Sequence, residues 1–492
     1  MKPGFKIKKS ILVLVAGIIL VAAIATVLVL TTGTDKGEKE AGSGSMQEPA
    51  ETPGAAAQET GSKAGGGHEQ ANQDDGEKHG VLTLRIYTVD RDIGRIIDLY
   101  AQKHWYFEYE LEIYNDEFVY GQDDIVRMVR EEFDGNGGTG IDLYILPAAN
   151  MDEFVKGEYA KYACAYEDLG IDVEKAVKEA DIPGCIVEDG LNPEGKLIAL
   201  HYQAETVLFI YRRSVAREVW GTDDPDRIAE IIGSGTERWD KFAEAAETLK
   251  DHGYFIVPGY LDLAYMIDAS LAYNPGPKET FEPDPRWIEF MEISKNFLEK
   301  GYIKKTQAWS LEWFRDIWGE NDRIFGFILP TDVFQFISDE TTGDWAACVP
   351  PFNIRIHSKT GIMVSKNSPH KELLGPLVEW ITLDSSENGF QHSLAANTHG
   401  IQRLGMEKFS VISGTVMKKV DGGRAFLGGQ NINPMVYNAL KDTKGLRIDD
   451  LVNYDLFNVF LDAARYYLDD EKDRDAAISD YIREVRETGR VK

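Results

Sequence analysis

The alternation of short apolar strands with amphipathic helices after residue 80 most constrains the fold of this chain. Strands are predicted at 82–89, 106–114 and 141–146, and helical spacing of apolar residues separates them at 93–100 and 123–133. Strands that alternate with helices in this order are typical of a parallel sheet. The pattern therefore predicts an α/β protein, and in open sheets of this kind ligands bind beyond the carboxyl ends of the strands.

Polar residues follow two of these predicted strands. Asp90 and Arg91 come directly after the first strand, and Asn150 lies in the turn that follows the third. Because parallel strands end at one edge of the sheet, we expect these side chains to face a common ligand site.

Residues 195–211 predict one long, largely apolar strand with a single carboxylate, Glu205, in its middle. Burying an isolated carboxylate costs several kcal/mol unless it is paired or hydrated. Glu205 is therefore either a cleft residue or half of a structural ion pair, and the first is favoured. We expect the strand to cross between two lobes with Glu205 facing the cleft. His201, in the same run, is expected to lie in the core.

The chain continues with further α/β units and ends mostly in helices. Ser310 is predicted to cap a helix whose Trp313 points inward. A strand over 324–329 ends in the turn 330–332. The last helix, over 470–486, is strongly charged, and we predict that it presents a solvated face.

The N-terminal part of the chain differs in composition from the rest. Residues 11–30 are an uncharged apolar run of 20 residues, preceded by several lysines, which predicts a transmembrane helix with a cytoplasmic N-terminus. A cleaved signal is the alternative, but its small-residue triplet, 23–25, lies inside the apolar run. Residues 31–80 are rich in Gly, Ala, Ser, Gln and Glu and predict a disordered linker. We therefore expect residues 1–30 to anchor the protein and the linker to tether it.

Charge and cysteine spacing disfavour several classes of function. A formal net charge of −29 opposes binding to nucleic acid or to anionic membrane surfaces. The three cysteines, Cys164, Cys185 and Cys348, lack metal-ligand spacing, so neither a metal nor a cofactor is expected. Cys164 and Cys185 either pair outside the cytoplasm or stay free and buried, and the second is favoured.

A family resemblance rests on the run at 195–211. The sequence G-K-L-I-A at 195–199, then Glu205 and then Ile210-Tyr211 resemble the extracellular solute-binding proteins of ABC importers, family 1, the branch that includes maltose-binding protein. Weaker matches follow in the family's order, at 345–351 and 365–372. The resemblance covers about residues 81–492.

The resemblance implies a two-lobed, periplasmic-binding-protein-like (type II) α/β fold whose lobes are joined by hinge strands. It places residues 81–204 and 350–405 in lobe 1, and residues 205–349 and 406–492 in lobe 2. The lobes are expected to close on a ligand by a hinge motion. The N-terminal transmembrane helix and the disordered linker are expected to precede the two lobes in the chain.

The resemblance also implies roles for single residues. Glu205 is expected to contact sugar at the hinge, and Asp90 and Arg91 to contact the ligand. The position near 330–332 where the family places an aromatic residue holds no tryptophan. Phe334 or Phe336 is the expected substitute.

A sugar site needs planar side chains that stack on the ring and carboxylates or amides that bind its hydroxyls. Residues of both kinds stand at predicted strand and loop ends. The candidate ligand-binding residues are Asp90, Arg91, Asn150, Tyr202, Gln203, Glu205, Tyr260, Asp262, Asp332, Trp345, Gln430 and Asn431. Core and cleft are equally favoured for Trp345, as are cleft and simple loop for Tyr260 and Asp262.

The expected function is capture of a sugar or oligosaccharide outside the cytoplasm and its delivery to an ABC permease by a membrane-tethered monomer. A ligand-sensing subunit for a membrane signalling partner is the alternative within the same fold. An extracellular glycosidase would need two carboxylates flanking the scissile bond. No nucleophile or metal motif is present, so enzymatic activity is not expected.

Overall fold

The computed structural model describes residues 81–115, 122–147, 150, 152–204, 206–268, 280–320, 323–331, 334, 341, 343–352, 360–406, 410–442 and 450–488. The predicted anchor and linker lie outside the described residues, as do Glu205, Asp332 and Phe336. Within the described part, no helix is both long enough and apolar enough to span a bilayer.

A four-stranded sheet carries the predicted alternation. It consists of β1 (Leu82–Thr88), β2 (Tyr109–Asn115), β3 (Leu143–Pro147) and β7 (Thr360–Val364), in the order β2-β1-β3-β7. β1 is parallel to β2 and β3, and β7 is antiparallel to β3. Helices α1 (Ile93–His104) and α2 (Gln122–Asn136) connect the parallel strands. The predicted parallel sheet is confirmed.

A second sheet of three strands has the order β5-β4-β6. Its strands are β4 (Val207–Arg212), β5 (Gly326–Pro330) and β6 (Trp345–Cys348), and β4 is antiparallel to both neighbours. Since Val207 pairs with Pro330, β4 begins at the edge where β5 ends.

Two parallel bridges extend the second sheet beyond β5. Phe255 bridges Ile324, just before β5, and Val257 bridges Ile303. Parallel segments end at the same edge of a sheet. The chain therefore leaves this layer after Val257, after Ile303 and after β5 at one carboxyl edge.

The remaining helices pack around the two sheets and include several of only one or two turns. Short π and 3₁₀ turns cover Asp152–Lys156, Ala160–Tyr162 and Tyr166–Leu169. The helices are α3 (Val173–Ala180), α4 (Gly184–Asp189), α5 (Arg213–Trp220), α6 (Pro225–Ile232), α7 (Asp240–Asp251), α8 (Tyr260–Asp268), α9 (Pro285–Lys300), α10 (Leu311–Ile317), α11 (Lys371–Thr382), α12 (Phe390–Ala395), α13 (His399–Arg403), α14 (Gly414–Lys419), α15 (Asn433–Asp442), α16 (Asp450–Leu468) and α17 (Arg474–Thr488).

The run at 195–211 crosses between the two sheets, as predicted, but it is not one strand. Leu200 bridges β7, Gln203 bridges Val411, and regular pairing begins only at Val207, where β4 starts. The chain leaves the strands of one sheet before it reaches those of the other. Between the two sheets its backbone therefore forms only isolated bridges and no continuous ladder. The prediction of a single long strand is wrong, because the crossing itself interrupts the ladder.

β4 is buried on both faces. Successive side chains of a strand point to opposite faces. Leu208 and Ile210 belong to the core that contains Trp313, whereas Phe209 and Tyr211 belong to a second core with α7 and α9. Ser310 caps α10 by accepting the Trp313 backbone N–H at 3.2 Å, as predicted.

The C-terminal helix α17 corrects one expectation. Ala477, Tyr481 and Val485 recur at helical spacing and are buried. The Tyr481 ring packs edge-on against Phe460 of α16, with 5.6 Å between ring centroids. The predicted solvated helix thus has a packed face, because its few apolar residues fall on a single stripe among the charges.

Candidate functional site

Asp90 and Tyr202 meet at the carboxyl edge of the first sheet. The Tyr202 hydroxyl donates to Asp90 Oδ2 at 2.7 Å, and the backbone N–H of Asp92 donates to Oδ1 at 2.8 Å. Tyr202 is buried, with its ring edge-on to Phe390. Burial raises the pKa of the Asp90 carboxyl, and the two hydrogen bonds oppose that rise. The Asp90 carboxyl group is therefore held in one orientation at the carboxyl edge of the first sheet.

Three other predicted residues lie near this edge. Arg91 is exposed in the loop after β1, and Asn150 is buried three residues beyond β3. Gln203 is half-buried beside Tyr202 and pairs through its backbone with Val411. Asp90 and Arg91 thus follow β1. Tyr202 and Gln203 lie at the start of the crossing, and Asn150 follows β3.

The crossing joins this edge to that of the second sheet over a few residues. The Thr331 N–H donates to the Thr206 carbonyl at 2.9 Å, and the Thr206 N–H donates to Thr331 Oγ1 at 3.4 Å. Between Tyr202 and Thr206 the chain spans at most about 14 Å. The carboxyl edges of the two sheets are therefore close neighbours at the crossing.

Asp262 and Tyr260 lie at the start of α8, directly after the carboxyl edge of the second sheet. Asp262 is fully buried, and its Oδ1 accepts the Trp313 indole N–H at 3.3 Å. Its Oδ2 has no hydrogen-bond partner among the described residues. Burial raises the pKa of Asp262 to about 8, with a further contribution from the negative charge of Asp316. Tyr260 is half-buried, and burial raises its pKa to about 12.

Trp309, which the sequence analysis did not identify, lies at the same edge. Its backbone has φ +66°, the left-handed region, which costs a non-glycine residue on the order of 1–3 kcal/mol. Its indole N–H donates to the Tyr265 hydroxyl at 2.8 Å, and its ring lies 5.2 Å from that of Trp313. The only sequence signal is its position, directly before the helix cap Ser310.

Trp345 lies in the core and not at the carboxyl edge. It is fully buried, pairs with Arg212 at the far end of β4, and donates its indole N–H to Thr341 Oγ1 at 3.0 Å. Of the two alternatives, the structure therefore shows the core. The strand that carries Trp345 runs from the far side of the sheet toward the crossing, so its first residue is the most remote.

The side chains of Gln430 and Asn431 form hydrogen bonds with nearby backbone groups. Gln430 Oε1 accepts the Ala347 N–H at 2.8 Å, and its Nε2 donates to the Ala347 carbonyl at 2.7 Å. This side chain pairs with the edge of β6 as a neighbouring strand would. Asn431 Oδ1 accepts the Asn433 N–H at 3.0 Å, next to the start of α15. Both are placed as structural residues, and neither is brought to the crossing.

Several other expectations concern buried groups. Phe334 is buried edge-on against Phe426, which is a core packing role in place of the expected stacking surface. His201 is buried, and burial lowers its pKa to about 4, so the expected core position is confirmed. All three cysteines are free thiols. The described residues contain no His, Cys, Asp and Glu cluster suited to a metal ion.

The residues near the crossing offer polar groups and an aromatic ring that are able to bind a polar solute. The first edge holds the fixed Asp90 carboxyl group, and the second holds the Thr331 hydroxyl group and the partly exposed indole ring of Trp309. Carboxyl and hydroxyl groups bind the hydroxyls of a solute, and aromatic faces cover its apolar side.

No protein-family model matches the sequence, and no curated protein matches it. Solved structures do match. A crystal structure of an extracellular solute-binding protein of family 1 aligns with a TM-score of 0.63 at 13% identity, over 83% of this chain and 100% of the other.

Two further structures come from named sugar-binding systems. The sugar-binding protein MalE from Xanthomonas citri aligns with a TM-score of 0.57 at 13% identity, over 82% of this chain and 96% of the other. The galacto-N-biose-/lacto-N-biose I-binding protein of an ABC transporter from Bifidobacterium longum aligns with a TM-score of 0.54 at 14% identity, over 83% and 96%. These structural neighbours include proteins of the family that the sequence motifs resemble. Their likeness to this chain shows that it has their two-lobed α/β fold.

Proposed function

We propose that this protein captures a carbohydrate between its two lobes outside the cytoplasm and delivers it to an ABC permease. The observation that carries the proposal is the crossing between Tyr202 and Thr206. There the chain passes from the carboxyl edge that holds Asp90 to the edge that holds Thr331. Two facing strand edges joined by a short crossing form the crevice in which α/β proteins bind ligands.

In this proposal each lobe is built around one of the two sheets. Residues 81–204 and 350–405 form the first lobe, and residues 205–349 and 406–492 form the second. Glu205 lies at the boundary and Asp332 directly follows Thr331, so both are proposed ligand contacts. Closure of the lobes would bring these carboxylates together with Asp90 around the solute.

The carbohydrate assignment rests on the chemistry of the two edges and on the sugar-binding neighbours. A sugar offers many hydroxyl groups and no charge, which suits a carboxyl group fixed by Tyr202. The run 11–30 is proposed to anchor the protein in the membrane, with residues 31–80 as the tether. Neighbours with this fold are binding proteins, so we assign no enzymatic activity.

Thermal unfolding with a panel of solutes tests the function. The panel contains mono- and oligosaccharides, amino acids, peptides and polyamines. A bound sugar at a hundred times its Kd stabilises the protein by about 2.7 kcal/mol, which raises the melting temperature by a few degrees. Stabilisation by amino acids, peptides or polyamines but by no sugar would refute the carbohydrate assignment, and stabilisation by nothing would refute solute binding.

Tyr202→Phe tests the site with a matched control. It removes the hydroxyl that orients Asp90, and we expect about tenfold weaker sugar binding, or about 1.4 kcal/mol. Tyr106→Phe changes a tyrosine that is 94% exposed and lies before β2, at the opposite end of the first sheet. Equal affinities for the two variants would place the solute elsewhere.

A further inference from the structure

The backbone conformation of Trp309 calls for a cause. A large side chain in the left-handed region is a genuine outlier, and such residues persist only where the surrounding structure fixes them. They are concentrated in ligand clamps and active sites.

The ordinary explanation for an apolar residue before a helix cap accounts for only part of this geometry. Trp309 precedes the cap Ser310 and contacts Phe314, with 6.2 Å between the rings, which is the arrangement of a hydrophobic staple. A staple needs only apolar contact. It requires neither a positive φ nor a tryptophan whose indole N–H is bound.

Two further contacts fix the plane of the Trp309 ring. The Tyr265 hydroxyl accepts its N–H, and the Trp313 ring lies beside it at an interplanar angle of 34°. Trp313 is itself fixed by the Asp262 carboxyl group. The indole is thus held in one orientation before any ligand arrives, which lowers the entropy cost of stacking.

The loop that carries Trp309 is attached to the carboxyl edge of the second sheet. The Thr306 N–H donates to the Pro258 carbonyl, and Gly259 packs so closely that a Cβ atom there would lie 2.1 Å from the Thr306 carbonyl oxygen. Trp309 is half-buried, so part of its surface stays exposed. The same edge carries Thr331, which contacts the crossing.

We propose that Trp309 supplies the aromatic surface on which a ring of the solute stacks from the second lobe. This inference rests on the proposed sugar-binding function and names the residue that gives it ring selectivity. The solute is then a sugar whose ring presents a contiguous apolar C–H face, while its hydroxyls reach the polar groups across the crossing. Phe334 cannot serve, since it is buried against Phe426.

Trp309→Leu tests the proposal, because leucine keeps apolar staple packing but offers no flat ring. Against the best sugar of the panel above, we expect the Kd to rise about tenfold to a hundredfold. Trp318→Leu is the matched control. Trp318 is also half-buried but follows the far end of α10, about 10 Å along the helix, and its Kd should stay within about twofold.

A spectroscopic measurement covers the case in which the leucine variant does not fold. In Trp309→Phe the smaller ring retains part of the stacking, so binding persists at a several-fold higher Kd. The change in tryptophan fluorescence on sugar binding should disappear in Trp309→Phe and persist in Trp318→Phe. If the wild type binds a sugar and both Trp309 variants keep its Kd and the fluorescence change, this inference is overturned alone. If the wild type binds no sugar, the proposed function fails with it.

Discussion

Replacing Asp262 with asparagine should remove a strong pH dependence from the stability of this protein. The Asp262 side chain has no exposed surface; its Oδ1 accepts the Trp313 indole N–H, and its Oδ2 has no hydrogen-bond partner among the described residues. Its pKa is raised to about 8 because burial disfavours the charged form, and the charge of Asp316 adds to the effect. Asparagine retains an oxygen that accepts the indole N–H but cannot ionise.

The magnitude follows from the difference in pKa between the folded and unfolded chains. In the unfolded chain the Asp262 carboxyl titrates near its ordinary pKa of 3.8. Below that pH both states are protonated and no pH dependence arises. As the pH rises further, the unfolded chain loses the proton and the folded one keeps it, so the free energy of unfolding falls by about 1.4 kcal/mol per pH unit. The loss reaches about 6 kcal/mol once the pH passes the folded pKa, and it then stays constant.

Urea unfolding of the wild type and of Asp262→Asn from about pH 5 to about pH 8 measures this difference. The variant should gain stability relative to the wild type by about 1.4 kcal/mol for each pH unit from about pH 5 to about pH 7, and by less as the pH approaches the folded pKa of about 8. Its amide places a buried N–H group where Oδ2 stands, at a cost of about 1–3 kcal/mol. That cost is the same at every pH, so it displaces the curve and leaves the slope unchanged.

Glu247→Gln provides the control, because it removes an exposed carboxylate from α7. Its curve should run parallel to that of the wild type. If the Asp262→Asn curve also runs parallel, Asp262 is ionised in the folded protein. Such a result would mean that water or a partner charge reaches Oδ2, and it would refute a protonated Asp262 carboxyl group bound to the Trp313 indole.

Two further predictions concern residues that the structure places outside the crossing. Gln430→Ala breaks both hydrogen bonds to Ala347, and it should lower the free energy of unfolding by about 1–3 kcal/mol while leaving sugar affinity unchanged in calorimetry; a loss of affinity would return Gln430 to the site. Thiol titration of the unreduced protein in denaturant should find three free thiols, with Cys164 and Cys348 unreactive until unfolding; fewer thiols would reveal a disulfide.

The first half of the site follows from local sequence rules. Strand and helix periods are local, and they predict a parallel sheet whose carboxyl edge carries Asp90. The partner of Asp90 is Tyr202, 112 positions along the chain, and the sequence predicts Tyr202 only as one of several aromatic and polar residues at strand and loop ends. The sequence pattern therefore predicts both residues as ligand-site residues. It does not predict the hydrogen bond between them, because that bond depends on packing between distant parts of the chain.

The misplaced residues share a cause. Trp345 and Gln430 stand at loop or strand ends, where polar and aromatic residues favour binding. Such a position can lie at the carboxyl end of the strands, at their amino end, or beside the unpaired side of an outer strand. Trp345 begins an antiparallel strand, so it lies at the end remote from the crossing, and Gln430 covers the open edge of β6. Strand direction and edge exposure depend on non-local pairing, and the sequence pattern is the same in every case.

Trp309 shows the same limitation in the opposite direction. Its local context, a bulky residue before a serine cap, predicts a staple, and tryptophan itself disfavours a positive φ. The start of this loop is attached to the second sheet by the parallel pairing of Ile303 with Val257 and by the close approach of Gly259 to Thr306. A position where non-local packing overrides local preference is where a fold accepts strain, and such positions are concentrated at functional sites. The conflict between the local preference of this loop and its structure is therefore the feature that makes Trp309 the candidate for the proposed ligand contact.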